Sequence, residues 1–211
     1  AGAEAALDTD AALRASMHAS GNVLLPSVFA LGEPQGKPDS ELPPYVATNT
    51  VPENAGFSLS AVRGQQPIAV LGEVAAGIGH LNQNRDGVDG VVRYEPLLVN
   101  YYGSAVPSMA LLTAYKSLNL TPNDLQLNSG DSVQVGKPRV KTDEAAMMLP
   151  QFYKGRDGKP PFAVDSFYDV VTGKIPASKY ADKIVIIGAT AVGVGDQFAV
   201  PGNPAVSPAE F

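Results

Sequence analysis

The densest β-branched run in the chain is Ile184-Val-Ile-Ile187, set between Lys183 and Gly188. It does not alternate apolar with polar, so it predicts a strand buried on both faces. Gly188, Gly193 and Gly195 follow, and Asp196 closes the stretch. The sequence therefore predicts a central strand that empties into a tight, backbone-dictated loop. In open α/β sheets that end of a strand is where ligand crevices form.

The rest of the pattern alternates helical and extended pieces. Leu13 and Met17 lie on one face of a first helix capped by Thr9 or Asp10 and stopped by Gly21. Val23 to Leu31 reads as a strand, with Pro26 marking a bulge or an edge position. Ile68, Leu71, Val74 and Ala75 follow Pro67 at helical spacing, with Gly77 or Gly79 as the stop. His80 to Asn84 and Val91 to Val99 are extended and flank the Asp86-to-Gly90 turn, a hairpin-like unit. Pro107 or Ser108 opens a helix through Leu111 and Leu118. Short strands are expected at Leu125–Leu127, Ser132–Val135, Arg139–Lys141 and from Met147 toward Tyr153. Ser166 to Gly173 is a compact helix, and Ile175 to Asp182 a short turn into the apolar run. The fold class is α/β, a mixed β-sheet with helices packed on it. The stretch 32–56 has no period and carries Pro34, Pro38, Pro43, Pro44 and Pro52. It reads as one long Pro-rich loop, a surface excursion, with Tyr45 and Phe57 available to tack it down.

Composition narrows the function classes. A net charge of -6 argues against non-specific nucleic-acid binding, which needs a basic surface. With no cysteine there is no disulfide framework, thiol nucleophile or cysteine zinc site. No window is apolar and long enough to span a bilayer.

The motifs mostly exclude. Gly188 and Gly193 have the first spacing of a phosphate loop, but Val194 stands where the lysine belongs. Gly193-Val-Gly195 lacks the later glycine of a dinucleotide fingerprint. Asn82, Asn84, Asp86 and Asp89 resemble the start of a calcium loop, yet Arg93 occupies the closing position, and a turn rich in Asp and Gly explains the same residues. His18 and His80 are the only histidines. His18 suits a helix C-terminus, and His80, at a helix-to-strand junction beside Asn82, is either a fixed structural histidine or a group coupling pH to packing. Arg93 is placed to pair with Asp89 or Glu95, or to anchor an anion. Asp165, Asp169 and Asp196 serve a hydrolase only if the fold brings them together, and no serine sits in a nucleophile elbow. No catalytic residue, cofactor or metal is expected.

Four stretches taken together resemble the CHASE2 family. They are Gly173-Lys-Ile-Pro176 with Lys183-Ile-Val-Ile-Ile-Gly-Ala-Thr-Ala191 and Gly193-Val-Gly-Asp196; Gly79-His-Leu-Asn82 with Asp86, Asp89-Gly-Val-Val-Arg93 and Pro96-Leu-Leu98; Pro107-Ser-Met-Ala-Leu-Leu112; and Asp10-Ala-Ala-Leu13 with Gly21-Asn-Val-Leu-Leu25. The resemblance implies a sensory domain spanning 1–211, outside the cytoplasmic membrane. It implies an upstream strand and helix, and a downstream helix with transmembrane segments, beyond the residues given. It also implies a parent receptor tethered to the inner or plasma membrane, a homodimer, with an adenylate or guanylate cyclase, a kinase or a diguanylate-type enzyme as output. The domain would bias a two-state equilibrium of the membrane segments. The family supplies no ligand residues. The residue reading supplies Thr190, Gly193, Gly195, Asp196, His80, Asn82 and Arg93 as candidates for a small-molecule signal. The alternative is a protein-interaction or dimerisation module with no small ligand.

Overall fold

The computed structural model describes residues 8–51, 59–85, 87–157, 161–189 and 197–206. They belong to two compact units, one of Ala1–Gln83 with Tyr94–Leu149 and the other of Asn84–Arg93 with Pro150–Phe211.

In the larger unit, helix α1 (Thr9–Ser20) starts where the Asp8 carboxylate accepts the Ala11 N–H at 2.9 Å, one residue before the expected caps. It ends at Gly21 in left-handed backbone. Strand β1 (Leu24–Leu31) runs into the Pro-rich stretch, which holds helix α2 (Pro44–Ala47). Strand β2 (Leu59–Gln65), helix α3 (Ala69–Gly72) and strand β3 (Gly77–His80) follow. Two strands, β4 (Asn84–Arg85) and β5 (Val92–Pro96), flank the turn and are hydrogen-bonded neighbours, which bears out the hairpin-like unit; β4 and the first two residues of β5 are counted with the smaller unit. Strands β6 (Leu98–Tyr101) and β7 (Ser104–Pro107) lead into helix α4 (Met109–Ser117), capped as expected by the Ser108 hydroxyl.

The main sheet has the order β3-β1-β2-β6-β7. Pairs β1/β3 and β2/β6 are parallel, while β1/β2 and β6/β7 are antiparallel. It is the mixed sheet of an α/β fold. Pro26 lies in the part of β1 that pairs only with β3, because the β2 register begins at Val28. Its missing N–H is tolerated on the flank without a ladder, as at an edge. The expected short strands β8 (Leu125–Asn128), β9 (Ser132–Val135) and β10 (Arg139–Lys141) are present and form an antiparallel sheet, and β11 (Met147–Met148) is only two residues long and pairs with β5. Leu98, Leu112, Tyr115 and Val133 are inaccessible to solvent and belong to one core cluster with Val51 and Leu111.

Two expectations around β3 need correction. The helix predicted from Ile68 through Ala75 stops as α3 at Gly72, and Gly77–His80 is a buried parallel strand instead of a helix stop. The reason is packing from a distant element. A Cβ on Gly79 would sit 2.9 Å from the Met109 N and Cα atoms, and one on Gly77 would sit 3.0 Å from Leu112. The glycines let α4 lie against bare strand backbone.

The Pro-rich stretch is anchored over its described part. Val46 and Val51 are buried, Val51 bridges to Ala105, and the Tyr45 hydroxyl donates to the Pro67 carbonyl at 3.0 Å. Phe57 lies outside the described residues.

In the smaller unit, helix α5 (Phe167–Val171) ends at the left-handed Gly173, and a 3₁₀ turn (Ala177–Tyr180) precedes the apolar run, both as expected. The run itself is not what its composition predicts. Residues 183–189 belong to no strand, and Ile184, Val185, Ile186 and Ile187 are 49–78% exposed. This overturns the central buried strand. β-Branched residues favour a strand only where a neighbouring ladder and a packed face receive them, and no strand among the described residues pairs with this run. The unit closes with the hairpin β12 (Phe198–Val200) and β13 (Asn203–Val206).

Candidate functional site

The polar interior of the larger unit gathers where β1, β3 and the start of α4 meet. Ser27, His80, Asn82 and Ser108 are all buried. Just beyond the last paired residue of β3, the Asn82 side chain takes over as a ladder rung. Its Oδ1 accepts the Phe29 N–H at 2.9 Å, and its Nδ2 donates to the Phe29 carbonyl at 2.6 Å. One amide thus satisfies both backbone groups of a buried residue. The Asn82 N–H donates to His80 Nδ1 at 3.2 Å, which leaves the imidazole proton on Nε2. Nε2 has no hydrogen-bond partner among the described residues. Burial alone pushes His80 down to about 3, so the ring is neutral at physiological pH. Of the two sequence readings, the fixed structural histidine is the one the geometry favours.

Glu95 was weighed from sequence only as a partner for Arg93. It is the group there that titrates near neutrality. Burial raises its carboxyl to about 7, against the opposing pull of the Ser108 hydroxyl. Ser108 is a junction. Its N–H donates to the Leu97 carbonyl at 2.8 Å, its Oγ accepts the Leu111 N–H at 3.1 Å, and its backbone bridges in parallel to His80. Glu95 is half-buried, which a strand pattern alone does not show; the one available signal was the following Pro96-Leu-Leu-Val99 run.

A second feature is an open depression of about 350 Å³ lined by Ala30, Glu33, Gln35, Asp39, Val62, Arg63 and Tyr102. The Pro-rich stretch supplies one side, and the Tyr101 hydroxyl ties that stretch down by donating to the Ser40 carbonyl at 2.6 Å. Tyr102 and Gly103 both have positive φ, 48° and 87°, as in the tight turn joining β6 to β7. An aromatic side chain in that backbone region is strained. It is held by packing edge-on against Tyr101, with ring centroids 5.0 Å apart. Arg63 and Asp39 approach to 3.9 Å, both well solvated.

The remaining sequence candidates are dispersed. Arg93 makes a two-pronged ion pair with Asp89, at 2.9 and 2.6 Å, which holds Asp89 down at about 2. With Asn82 committed to Phe29 and Asp89 to Arg93, the calcium-like stretch loses two of its ligands. Asp165 binds Lys179 and Tyr180, and Asp169 binds Lys174, so these carboxylates are each neutralised by a lysine and not shared in one cleft. Among the described residues no group of three His, Cys, Asp or Glu residues is placed to hold a metal ion. Thr190, Gly193, Gly195 and Asp196 lie outside the described residues.

Compared with protein families, the sequence matches the CHASE2 domain over residues 2–211. Comparison with curated proteins and with solved structures found no match.

Proposed function

The chain belongs to the CHASE2 family, a family of extracytoplasmic sensory domains, and from that premise we propose that it is the signal-receiving part of a membrane-tethered receptor. It performs no chemistry of its own. Its parent carries a cyclase or kinase output and works as a homodimer, and signal binding biases one of two states of the assembly. Among the described residues no helix is long and apolar enough to cross a membrane. The observation that carries the ligand-binding reading is the depression beside Tyr102. It offers a strained aromatic ring, a guanidinium and two carboxylates to one small polar molecule. Thr190, Gly193, Gly195 and Asp196 form a second set of contacts to test.

A thermal-shift screen of small polar metabolites and divalent cations tests this. A ligand that binds the native state raises the melting temperature, and the rise is expected to vanish in Arg63→Ala or in Asp196→Asn, according to which set binds. No stabilisation by any member would overturn the small-ligand reading. Exposure of the Ile184–Ile187 run favours the second reading, a protein-contact or self-association module. A mass that rises with concentration, and falls back in Ile186→Lys, supports that one.

A further inference from the structure

The Pro-rich stretch walls the depression beside Tyr102, and the middle of that stretch is held down by very little. Residues 33–42 make no main-chain-to-main-chain hydrogen bond among the described residues, and Pro34 and Pro38 have no N–H to give. Both ends are fixed. The Gly32 N–H donates to the Ser60 carbonyl at 3.0 Å. Past Leu42 the chain enters α2, where Val46 is inaccessible to solvent and the Tyr45 hydroxyl is tied to Pro67. The attachments between those anchors are few. The Tyr101 hydroxyl donates to the Ser40 carbonyl at 2.6 Å. Leu42, half-buried, packs against the cluster of Phe29, Ala61, Val99, Tyr101 and Val106. Asp39 approaches Arg63 to 3.9 Å, but their side chains are 87% and 79% exposed, so water leaves that pair little strength.

We propose that residues 33–42 are a hinged strap over the depression, latched by the Tyr101 hydroxyl and held to the body of the larger unit by the molecule that the depression binds. The part given to that molecule rests on the ligand reading above; the latch itself does not. Glu33, Gln35 and Asp39 line the depression from the strap, while Ala30, Val62, Arg63 and Tyr102 line it from β1, β2 and the β6–β7 turn. A molecule touching both sets bridges strap and body, and so binds the latched state more tightly than a released one. Such a difference in affinity is what a ligand needs to shift an equilibrium.

Release asks only that the Ser40 carbonyl exchange Tyr101 for water and that Leu42 leave its cluster. Local opening draws on segments of this kind, with few buried contacts and few hydrogen bonds. The latch also stands between the depression and the sheet. Tyr102, on the depression, packs edge-on against Tyr101 with centroids 5.0 Å apart, and Tyr101 meets Phe29 of β1 at 5.7 Å. The residue that holds the strap is therefore packed against both the wall of the depression and the core of β1.

The test reads the strap directly on the full chain. Glutamyl endopeptidase cuts after Glu41, one residue past the latched carbonyl, and where opening is faster than cutting its rate follows the released population. One net hydrogen bond shifts an equilibrium about fivefold. Tyr101→Phe keeps the ring and loses the hydroxyl, so it should be cut after Glu41 about fivefold faster than wild type. Cutting after Glu144, exposed in a loop of the same unit, should not change. An unchanged rate at Glu41 overturns the proposal, and so does equal acceleration at Glu144, since the hydroxyl would then hold the fold and not the strap. The chain has no cysteine, which allows paired spin labels in the otherwise wild-type protein. Labels on Gln35→Cys and Ala114→Cys should give a distance distribution several ångström wider than labels on Ala12→Cys and Ala114→Cys, both on helices of the larger unit. Equal widths overturn the proposal even if Tyr101→Phe does not fold. Neither measurement uses a small molecule. A fixed strap leaves the ligand reading standing, and a flat metabolite screen leaves a strap that swings with nothing to close on.

Discussion

Replacing Asn82 with alanine deletes a whole rung of the β1–β3 ladder. The side chain is 8% exposed and the Phe29 residue it serves 3%, so both lost partners are buried. The Phe29 N–H and carbonyl are each left without the amide, and a buried unsatisfied backbone group costs about 1–3 kcal/mol. The two together put the loss for Asn82→Ala at about 3 kcal/mol, with the contact to His80 kept because it uses the Asn82 backbone N–H. For a chain of this length that lowers the melting temperature by about 9 °C. The assay is equilibrium urea unfolding at pH 7, with the slope against denaturant unchanged. Asn82→Asp refines the test. It keeps the acceptor for the Phe29 N–H but turns a carboxylate oxygen toward the Phe29 carbonyl, where only a protonated acid can donate. Its folded pKa is therefore raised, so its stability is present at low pH and lost as pH rises. Asn82→Asp should be closer to wild type at pH 4 than at pH 7. A loss below about 1 kcal/mol in Asn82→Ala would show that the amide does not replace a ladder rung, and the reasoning would fail.

Two further outcomes follow from the same joint. Gly79→Ala places a methyl 2.9 Å from helix backbone that no rotamer change can move; it should cost about 2 kcal/mol or more, whereas Gly87→Ala, with open space around it, should stay within about 1 kcal/mol by denaturation. His80, depressed from 6.5 to about 3, contributes stability that is present above pH 6.5 and lost as pH falls toward 3, up to about 5 kcal/mol at the limit. Acid unfolding of His80→Phe should consequently take up about one proton fewer than wild type across that window, and equal slopes would contradict the buried neutral ring.

Local signals were read well. Ser108 before Met109, Gly21 after Ser20 and Gly173 after the short helix act within a turn of the residues they cap, so their chemistry is visible in sequence. The mixed sheet was legible too, because strand and helix patterns alternate along the chain. What failed depends on partners far away in sequence. Gly77 and Gly79 looked like a helix stop because their reason for being glycine lies on α4, some thirty residues on. Ile184 to Ile187 has strand propensity, but propensity supplies neither a ladder nor a cover. His80 was singled out for its ordinary pKa, and burial moved that pKa out of range while moving Glu95 into it. Environment, not residue type, decided which group titrates near neutrality.

The bare face of β3 has one more implication. Where Gly77 and Gly79 meet α4, the strand contributes no side chain to the contact. Divergence cannot easily retune that seam from the strand, because a larger residue at Gly79 collides with the Met109 main chain and one at Gly77 crowds the Leu112 and Asn49 side chains. Adjustment must come from Met109 and Leu112 on the helix, so related sequences should vary at those two positions while the two glycines stay fixed.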